Sequence, residues 1–128
     1  MRELLLDTSA LLYWTLLPER LSEPAVRAIE NAEERLISVV SLWEVALKQK
    51  KGALELPLPV TEFTSRVRRA EGTTIVPLEL ETAVDGALLD WSHRDPADRW
   101  LVALATRRNC SLVSSDERIR RYYALSVW

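Results

Sequence analysis

Asp7, Glu44, Asp98 and Asp116 share one trait: each stands where a short apolar run or a Pro-bearing turn gives way to a helical pattern. Asp7 ends the run Glu3-Leu-Leu-Leu6, and Asp116 follows Ser111-Leu-Val-Ser-Ser115. Glu44 is expected in the first turn of the helix after Leu36-Ile-Ser-Val-Val40, and Asp98 in the first turn of the helix opened by Asp95-Pro96. If the four converge they repel one another: two charges about 4 Å apart at an effective ε near 20 do so by roughly 4 kcal/mol. A shared proton or a cation between them relieves that. A hard divalent ion such as Mg²⁺ takes oxygen ligands, usually one or two direct carboxylates plus waters. It lowers the pKa of bound water and stabilises charge building on a phosphoryl oxygen. Four acids with no other cofactor signature therefore point to metal-assisted hydrolysis of a phosphodiester.

Taken singly, each acid reads better as a helix cap. Ser41-Leu-Trp-Glu44 has the form of a capping box, with Glu44 reaching back to the Ser41 N–H. In Asp95-Pro96-Ala97-Asp98 the first Asp suits the N-cap, Pro96 the first helical position and Asp98 the positive end of the dipole. Asp7-Thr8 and Ser115-Asp116 are capping pairs too. Only the set of four carries a functional argument.

The elements that must bring the four together are legible from periodicity. Short continuous apolar runs at 3–6, 36–40, 74–76 and 111–114 suit parallel strands buried on both faces, and 125–128 could add a fifth at an edge. Between them lie helical stripes: Ala25, Ala28, Ile29 and Ala32; Leu42, Val45, Ala46 and Gln49; Val60, Phe63, Val67 and Ala70. Leu80 to Trp91 and Ala97 to Ala105 repeat the rule. Alternating strands and helices predict an α/β fold with a mainly parallel sheet of four to five strands and helices on both faces. Three of the four acid-bearing junctions then share the carboxyl edge of the sheet, where open α/β sheets bind ligands. Asp98 has to reach that crevice from the start of its own helix.

Bulk composition narrows the class. The 128 residues suit one domain, and the 48% apolar content can fill one core. Seventeen basic against nineteen acidic residues, net charge -2, argue against charge-driven binding along a nucleic-acid backbone but leave room for a local basic rim. The single Cys110 excludes an internal disulfide and a multi-cysteine metal site. The longest uncharged run, Thr8 to Pro18, falls short of the roughly 18 residues of a membrane span, and Glu3 and Asp7 interrupt the only leader-like stretch. A protein of the reducing cytoplasm, with no membrane span, is expected.

Other reactive residues read more simply. His93 suits a turn-fixing role before Asp95-Pro96 better than that of a general base. Trp91 and Trp100 lie on apolar stripes and read as core, while Trp14 and Trp43 are candidates to face a partner. Cys110 opens a buried strand and is read as inert. Arg94 and Arg99 flank the Asp98 motif and are the favoured phosphate contacts, since a guanidinium can grip a phosphate with two N–H groups. Two rival phosphotransfer readings fail on specific residues. A haloacid-dehalogenase-like phosphatase needs a second Asp where Ser9 stands. A receiver domain needs an acceptor Asp after its third strand, where Pro77 stands, and a late Lys, but no Lys occurs beyond Lys51.

Four segments together resemble the ordered motifs of the PIN-domain family: LLLDTSALLYW at 4–14, SVVSLWEVALKQKKGAL at 38–54, HRDPADRWLVALA at 93–105 and LVSSDERI at 112–119. They are most similar to the VapC-type toxins of type II toxin–antitoxin systems, over nearly the whole chain. The resemblance implies a PIN-like three-layer α/β/α sandwich spanning residues 1–128 as a single nuclease domain. It further implies a Mg²⁺- or Mn²⁺-dependent endoribonuclease, an RNA substrate, a homodimer and a cognate antitoxin partner. The family's four acids fall on Asp7, Glu44, Asp98 and Asp116; Asp98 fits the third better than Asp95, which is left as a supporting cap. Ser9 matches the small polar residue two positions after the first acid, and Ser115 the polar residue before the last. With no acid missing, a non-catalytic PIN-like interaction module is the alternative, separable by whether the protein cuts RNA.

Overall fold

The computed structural model describes residues 2–128. Five strands alternate with helices: β1 (Glu3–Leu6), α1 (Thr8–Leu16), α2 (Glu23–Asn31), β2 (Glu34–Ser38), α3 (Val39–Lys50), α4 (Val60–Arg69), β3 (Thr73–Val76), α5 (Leu80–Leu88), α6 (Pro96–Arg108), β4 (Ser111–Val113), α7 (Glu117–Tyr122) and β5 (Ser126–Val127). The strands form one sheet in the order β3-β2-β1-β4-β5, and every neighbouring pair is parallel.

Strand parity builds the layers, because successive side chains leave a strand on opposite faces. Leu4 and Leu6 of β1, Ile37 of β2 and Val113 of β4 pack with Ala10, Leu11, Ala25, Ile29, Val45, Phe63 and Val67 from α1 to α4. Leu5, Leu36, Val76 and Leu112 point the other way, onto Leu101, Val102, Leu104 and Ala105 of α6 and Ile119 of α7. The fold is thus the expected three-layer α/β/α sandwich. Leu4, Leu5 and Leu6 are at most 1% exposed; fully burying a leucine side chain contributes about 1.5–3 kcal/mol. Two such faces on one tetrapeptide fix the central strand in place.

Several boundaries differ from the sequence expectation, each for a local reason. β2 ends at Ser38, not near Ser41, because the Ser38 hydroxyl accepts from the Val40 N–H at 3.1 Å and starts α3 at Val39. α1 was not visible as a stripe because TSALLYWTL is apolar nearly all round, yet Asp7 starts it by accepting from the Ala10 N–H. The expected helix through Trp91 stops at Leu88, and Trp91 instead stacks on Tyr122 with ring centroids 4.6 Å apart. Gly86 lets α5 lie close on α6: a Cβ there would meet Cδ1 of Trp100 at 2.6 Å.

The strand order places a topological switch point beside β1. The chain leaves β1 for β2 on one side, and returns to β4 on the other. Connections diverge there, and a crevice opens outside the carboxyl ends of β1 and β4. Asp7 follows β1 directly, and Asp116 lies three residues beyond β4.

Candidate metal centre

Two of the four acids, Asp7 and Asp116, are helix caps, as is the neighbouring Asp95. Asp7 caps α1 through the Ala10 N–H at 2.8 Å, and Asp116 caps α7 through the Arg118 N–H at 2.8 Å. Asp95 caps α6 through the Ala97 N–H at 3.0 Å, with Pro96 at the first helical position and Asp98 two residues on. Capping and site-building are therefore one arrangement at Asp7 and Asp116, where the N-cap geometry fixes the direction of the carboxylate.

Among the described residues, His93, Asp98 and Asp116 each offer a ligand atom, and the three atoms lie within 4.8 Å of one another. Asp98 is the hub. Its Oδ2 lies 2.7 Å from His93 Nε2, and an ionised carboxylate, which can only accept, makes Nε2 the donor. It feels the negative charge of Asp95 and Asp116, and it is itself felt by both Asp7 and Glu44. Asp7 and Glu44 stand outside the three-atom group but are coupled to it through charge.

Burial, with repulsion second, raises the pKa values of Asp7, Glu44 and Asp98. Asp7, 6% exposed, is pushed up to about 6, chiefly by desolvation; the Ser114 hydroxyl and the Ala10 N–H pull it down, and Asp98 and Asp116 push it further up. Glu44 is raised by desolvation first, with the Thr8 hydroxyl and Lys48 opposing. Asp98 is raised by desolvation too, with the His93 hydrogen bond opposing. Three neighbouring carboxyl groups are thus held toward their neutral forms, a penalty that a hard divalent cation, which takes oxygen ligands, would relieve. Among the described residues, Asp98 and Asp116, together with His93, are the group close enough to hold such an ion.

The expected capping box is replaced by a different bond. Ser41 is buried within α3, and Glu44 lies in its second turn. The Thr8 hydroxyl donates to Glu44 Oε1 at 2.5 Å, with the Ser41 hydroxyl 3.0 Å from the same threonine oxygen. A residue adjacent to Asp7 therefore steers Glu44 across from α1 to α3. Ser115 is exposed, and the supporting hydroxyl is that of fully buried Ser114. Parallel register explains the choice: Leu6 pairs with Val113, so the next residues, Asp7 and Ser114, come side by side. Ser9 is half-buried.

Arg99 does not meet the expectation of a phosphate contact. All five of its N–H donors are taken by main-chain carbonyls: Gly86 at 2.8 Å, Trp91 at 2.6 Å, His93 at 2.7 Å, Leu89 at 2.7 Å and Ala87 at 3.4 Å. Arg94 is exposed and lines an open depression of about 510 Å³ together with Trp91, Ser92, His93, Asp95 and Arg118. Arg118 was missed by sequence reasoning; its guanidinium stands 3.6 Å from Asp116 Oδ2. Its spacing two residues after an N-cap acid was the available signal. Cys110 is buried, with its thiol pushed up to about 11 by desolvation, so the thiolate is scarce, as expected. Trp43 is 58% exposed and Trp14 half-buried. No helix among the described residues is long and apolar enough to cross a membrane.

The model of the PIN domain matches residues 4–125. The chain is 33% identical over 132 residues, covering all of both proteins, to "Ribonuclease VapC22" of Mycobacterium tuberculosis (strain ATCC 25618 / H37Rv). Similar solved structures include a toxin–antitoxin complex from Klebsiella pneumoniae, with a TM-score of 0.68 at 15% identity, covering 97% of this chain and 95% of that one. VapBC2 from Rickettsia felis bound to a promoter DNA fragment gives a TM-score of 0.68 at 13% identity, covering 98% and 99%. Mycobacterium tuberculosis VapC20, described as a sarcin–ricin loop cleaving toxin, gives 0.66 at 10% identity, covering 94% and 95%. At those identities the structures speak for the fold, while the match along 4–125 and the full-length relative decide kinship: this chain belongs to the PIN domain family.

Proposed function

We propose that the chain is a metal-dependent endoribonuclease, the toxin of a type II toxin–antitoxin pair acting in the cytoplasm, with residues 1–128 as one nuclease domain. The observation that carries this reading is the gathering of Asp98 and Asp116 with His93 within 4.8 Å, beside a buried Asp7 whose carboxyl is raised to about 6. The full-length relative named a ribonuclease supports the substrate class.

In this reading Asp98 and Asp116 hold Mg²⁺ or Mn²⁺, and Asp7 completes the acidic wall. A bound ion would supply an activated water and stabilise charge on the phosphoryl group. Glu44, steered by Thr8, orients the attacking water from the outer side of the site. His93 holds one oxygen of Asp98, and Asp95 keeps α6 started so that Asp98 faces inward. Ser114 holds Asp7 from the neighbouring strand; Ser9 and Ser115 have lesser supporting roles. Arg94 and Arg118, on the rim of the open depression, contact phosphates of the RNA on either side of the cleaved bond. The exposed apolar side chains of Val39, Trp43, Leu80, Val84 and Leu88 offer α3 and α5 as a surface for a second copy, giving a homodimer. The apolar recess of about 310 Å³ lined by Trp14, Leu16, Leu58, Phe63 and Val67 is the seat for an apolar side chain of the antitoxin.

The test is cleavage of a labelled RNA by wild type and by Asp7→Asn, with Mg²⁺ and then with chelator. Wild type with Mg²⁺ cuts, and both the substitution and chelation abolish cutting. Cleavage that ignores both sinks the metal mechanism. No cleavage in any condition, with antitoxin still bound, makes the protein an interaction module.

A further inference from the structure

Arg99 sits one residue after Asp98 on α6, yet its side chain turns away from the crevice and into main chain. α5 ends at Leu88 with no backbone N–H closing its last turn. The carbonyls orphaned there must find other donors. Arg99 supplies them to Gly86 and Ala87, adds one to Leu89, whose carbonyl also accepts from the Trp91 N–H, and reaches on to the carbonyls of Trp91 and His93. One fork of five donors thus sets the path of the whole segment from 86 to 93. The end of that segment is the residue whose ring grips Asp98: the His93 carbonyl accepts from Arg99 at 2.7 Å while His93 Nε2 donates to Asp98 at 2.7 Å. Trp91, edge-on to His93 with ring centroids 4.8 Å apart, packs the ring from the side and is itself tethered by Arg99.

We infer that Arg99 is a positioning residue of the metal centre, which clamps the 86–93 segment so that His93 holds the Asp98 carboxylate in its ligating direction. The inference rests on the nuclease reading only for the consequence at the metal; the grip of Arg99 on His93 stands apart from it. Lysine cannot substitute, because a three-donor ammonium cannot span five carbonyls laid out along a loop. Outer residues that orient a ligand shift metal affinity by about 10–100-fold.

His93 is the only histidine, so its imidazole signals need no assignment against others. The metal-free protein is read first, by the NMR resonance of the His93 Nε2 proton. It is present and slow to exchange in wild type and in Arg94→Ala, and lost in Arg99→Lys. Calorimetry with Mn²⁺ alone then gives roughly 10–100-fold weaker binding for Arg99→Lys and for His93→Ala. The double variant Arg99→Lys/His93→Ala is no worse than His93→Ala, because both act through one contact. At saturating Mn²⁺ the KM for RNA of Arg99→Lys stays at the wild-type value while kcat falls.

Retention of the His93 resonance and of Mn²⁺ affinity in Arg99→Lys would reduce Arg99 to a cap of α5 and overturn the inference. Additive effects in the double variant, or a raised RNA KM with unchanged metal affinity, overturn it as well. So does unfolding of Arg99→Lys under conditions where His93→Ala is folded, since Arg99 would then support the domain as a whole. If wild type neither binds Mn²⁺ nor cuts RNA, the nuclease reading fails, and the NMR comparison still decides whether Arg99 sets His93.

Discussion

The two ends of the sheet treat acidic residues in opposite ways. At the amino edge each of two carboxylates has a basic partner: Glu3 meets Arg108 at 2.8 Å and Glu33 meets Arg2 at 2.7 Å, while Glu34 accepts a hydrogen bond from Thr74. At the carboxyl edge desolvation raises Asp7, Glu44 and Asp98, and the charge of Asp98 adds to the rise at both Asp7 and Glu44. Asp7 is held only by the Ala10 N–H and the Ser114 hydroxyl. The amino edge is built so that its charges are matched, at the small gain typical of exposed ion pairs. The carboxyl edge sets Arg118 near Asp116 and Lys48 near Glu44 but gathers more acids than that at the switch point, which suits a site for a cation.

Asp7→Asn should divide the two roles most sharply. RNA cleavage should fall by at least about 100-fold, because a metal site contributes several kcal/mol to the barrier and each 1.36 kcal/mol is tenfold in rate. The metal-free protein should become more stable at pH 7 by on the order of 1–3 kcal/mol, since Asn keeps the cap while removing a carboxyl raised from 3.8 to about 6. Single-turnover kinetics and thermal unfolding of the same preparation check both. A variant that loses activity and stability together would mark Asp7 as a structural cap.

Acidification probes the same asymmetry without mutation. The folded-state pKa of Asp7 lies above its unfolded value, so between about 4 and 6 the folded state binds more protons than the unfolded one. The contribution of Asp7 to stability is therefore complete below pH 4 and lost as pH rises through 6. Unfolding followed from pH 7 to pH 5 without metal should show this edge gaining stability, on the order of 1–3 kcal/mol, and Asp7→Asn should remove that gain. An equal gain in both proteins would place the effect elsewhere.

Glu44→Gln tests the outer position. Cleavage should fall by about 10–100-fold, less than for Asp7→Asn, as for residues that orient the inner groups. Mn²⁺ affinity should change little. Glu3→Gln makes the control at the opposite edge: activity stays at the wild-type level and stability shifts by less than about 1 kcal/mol.

Much of this contrast was legible in the chain. Apolar runs bounded by Asp7 and Asp116, with helical stripes between, imposed parallel strands and so a shared carboxyl edge. The N-cap of α6 at Asp95 followed from Asp-Pro alone. What stayed hidden depends on tertiary contact. Thr8 bonds Glu44 across 36 positions, which no local pattern reports. Ser114 and Ser115 are chemically alike, and only the register of β1 on β4 selects the first. Arg99, beside an acid, had the charge of a phosphate ligand, but the end of α5 and the loop to His93 claimed every donor it has. Trp91 fell on the helical stripe of α5, yet the helix stops before it and the ring turns to Tyr122.

The central claim is that the carboxyl edge, whose acids outnumber the basic groups Arg118 and Lys48 set against them, is a seat for a divalent ion. A crystal soaked in Mn²⁺ and measured for anomalous scattering tests it most directly. The account predicts a peak within coordination reach of Asp98 and Asp116, with Asp7 and Glu44 contacting it directly or through one water, and no peak at the amino edge. Density for Mn²⁺ only elsewhere on the molecule, with these carboxylates left apart from it, would contradict the account.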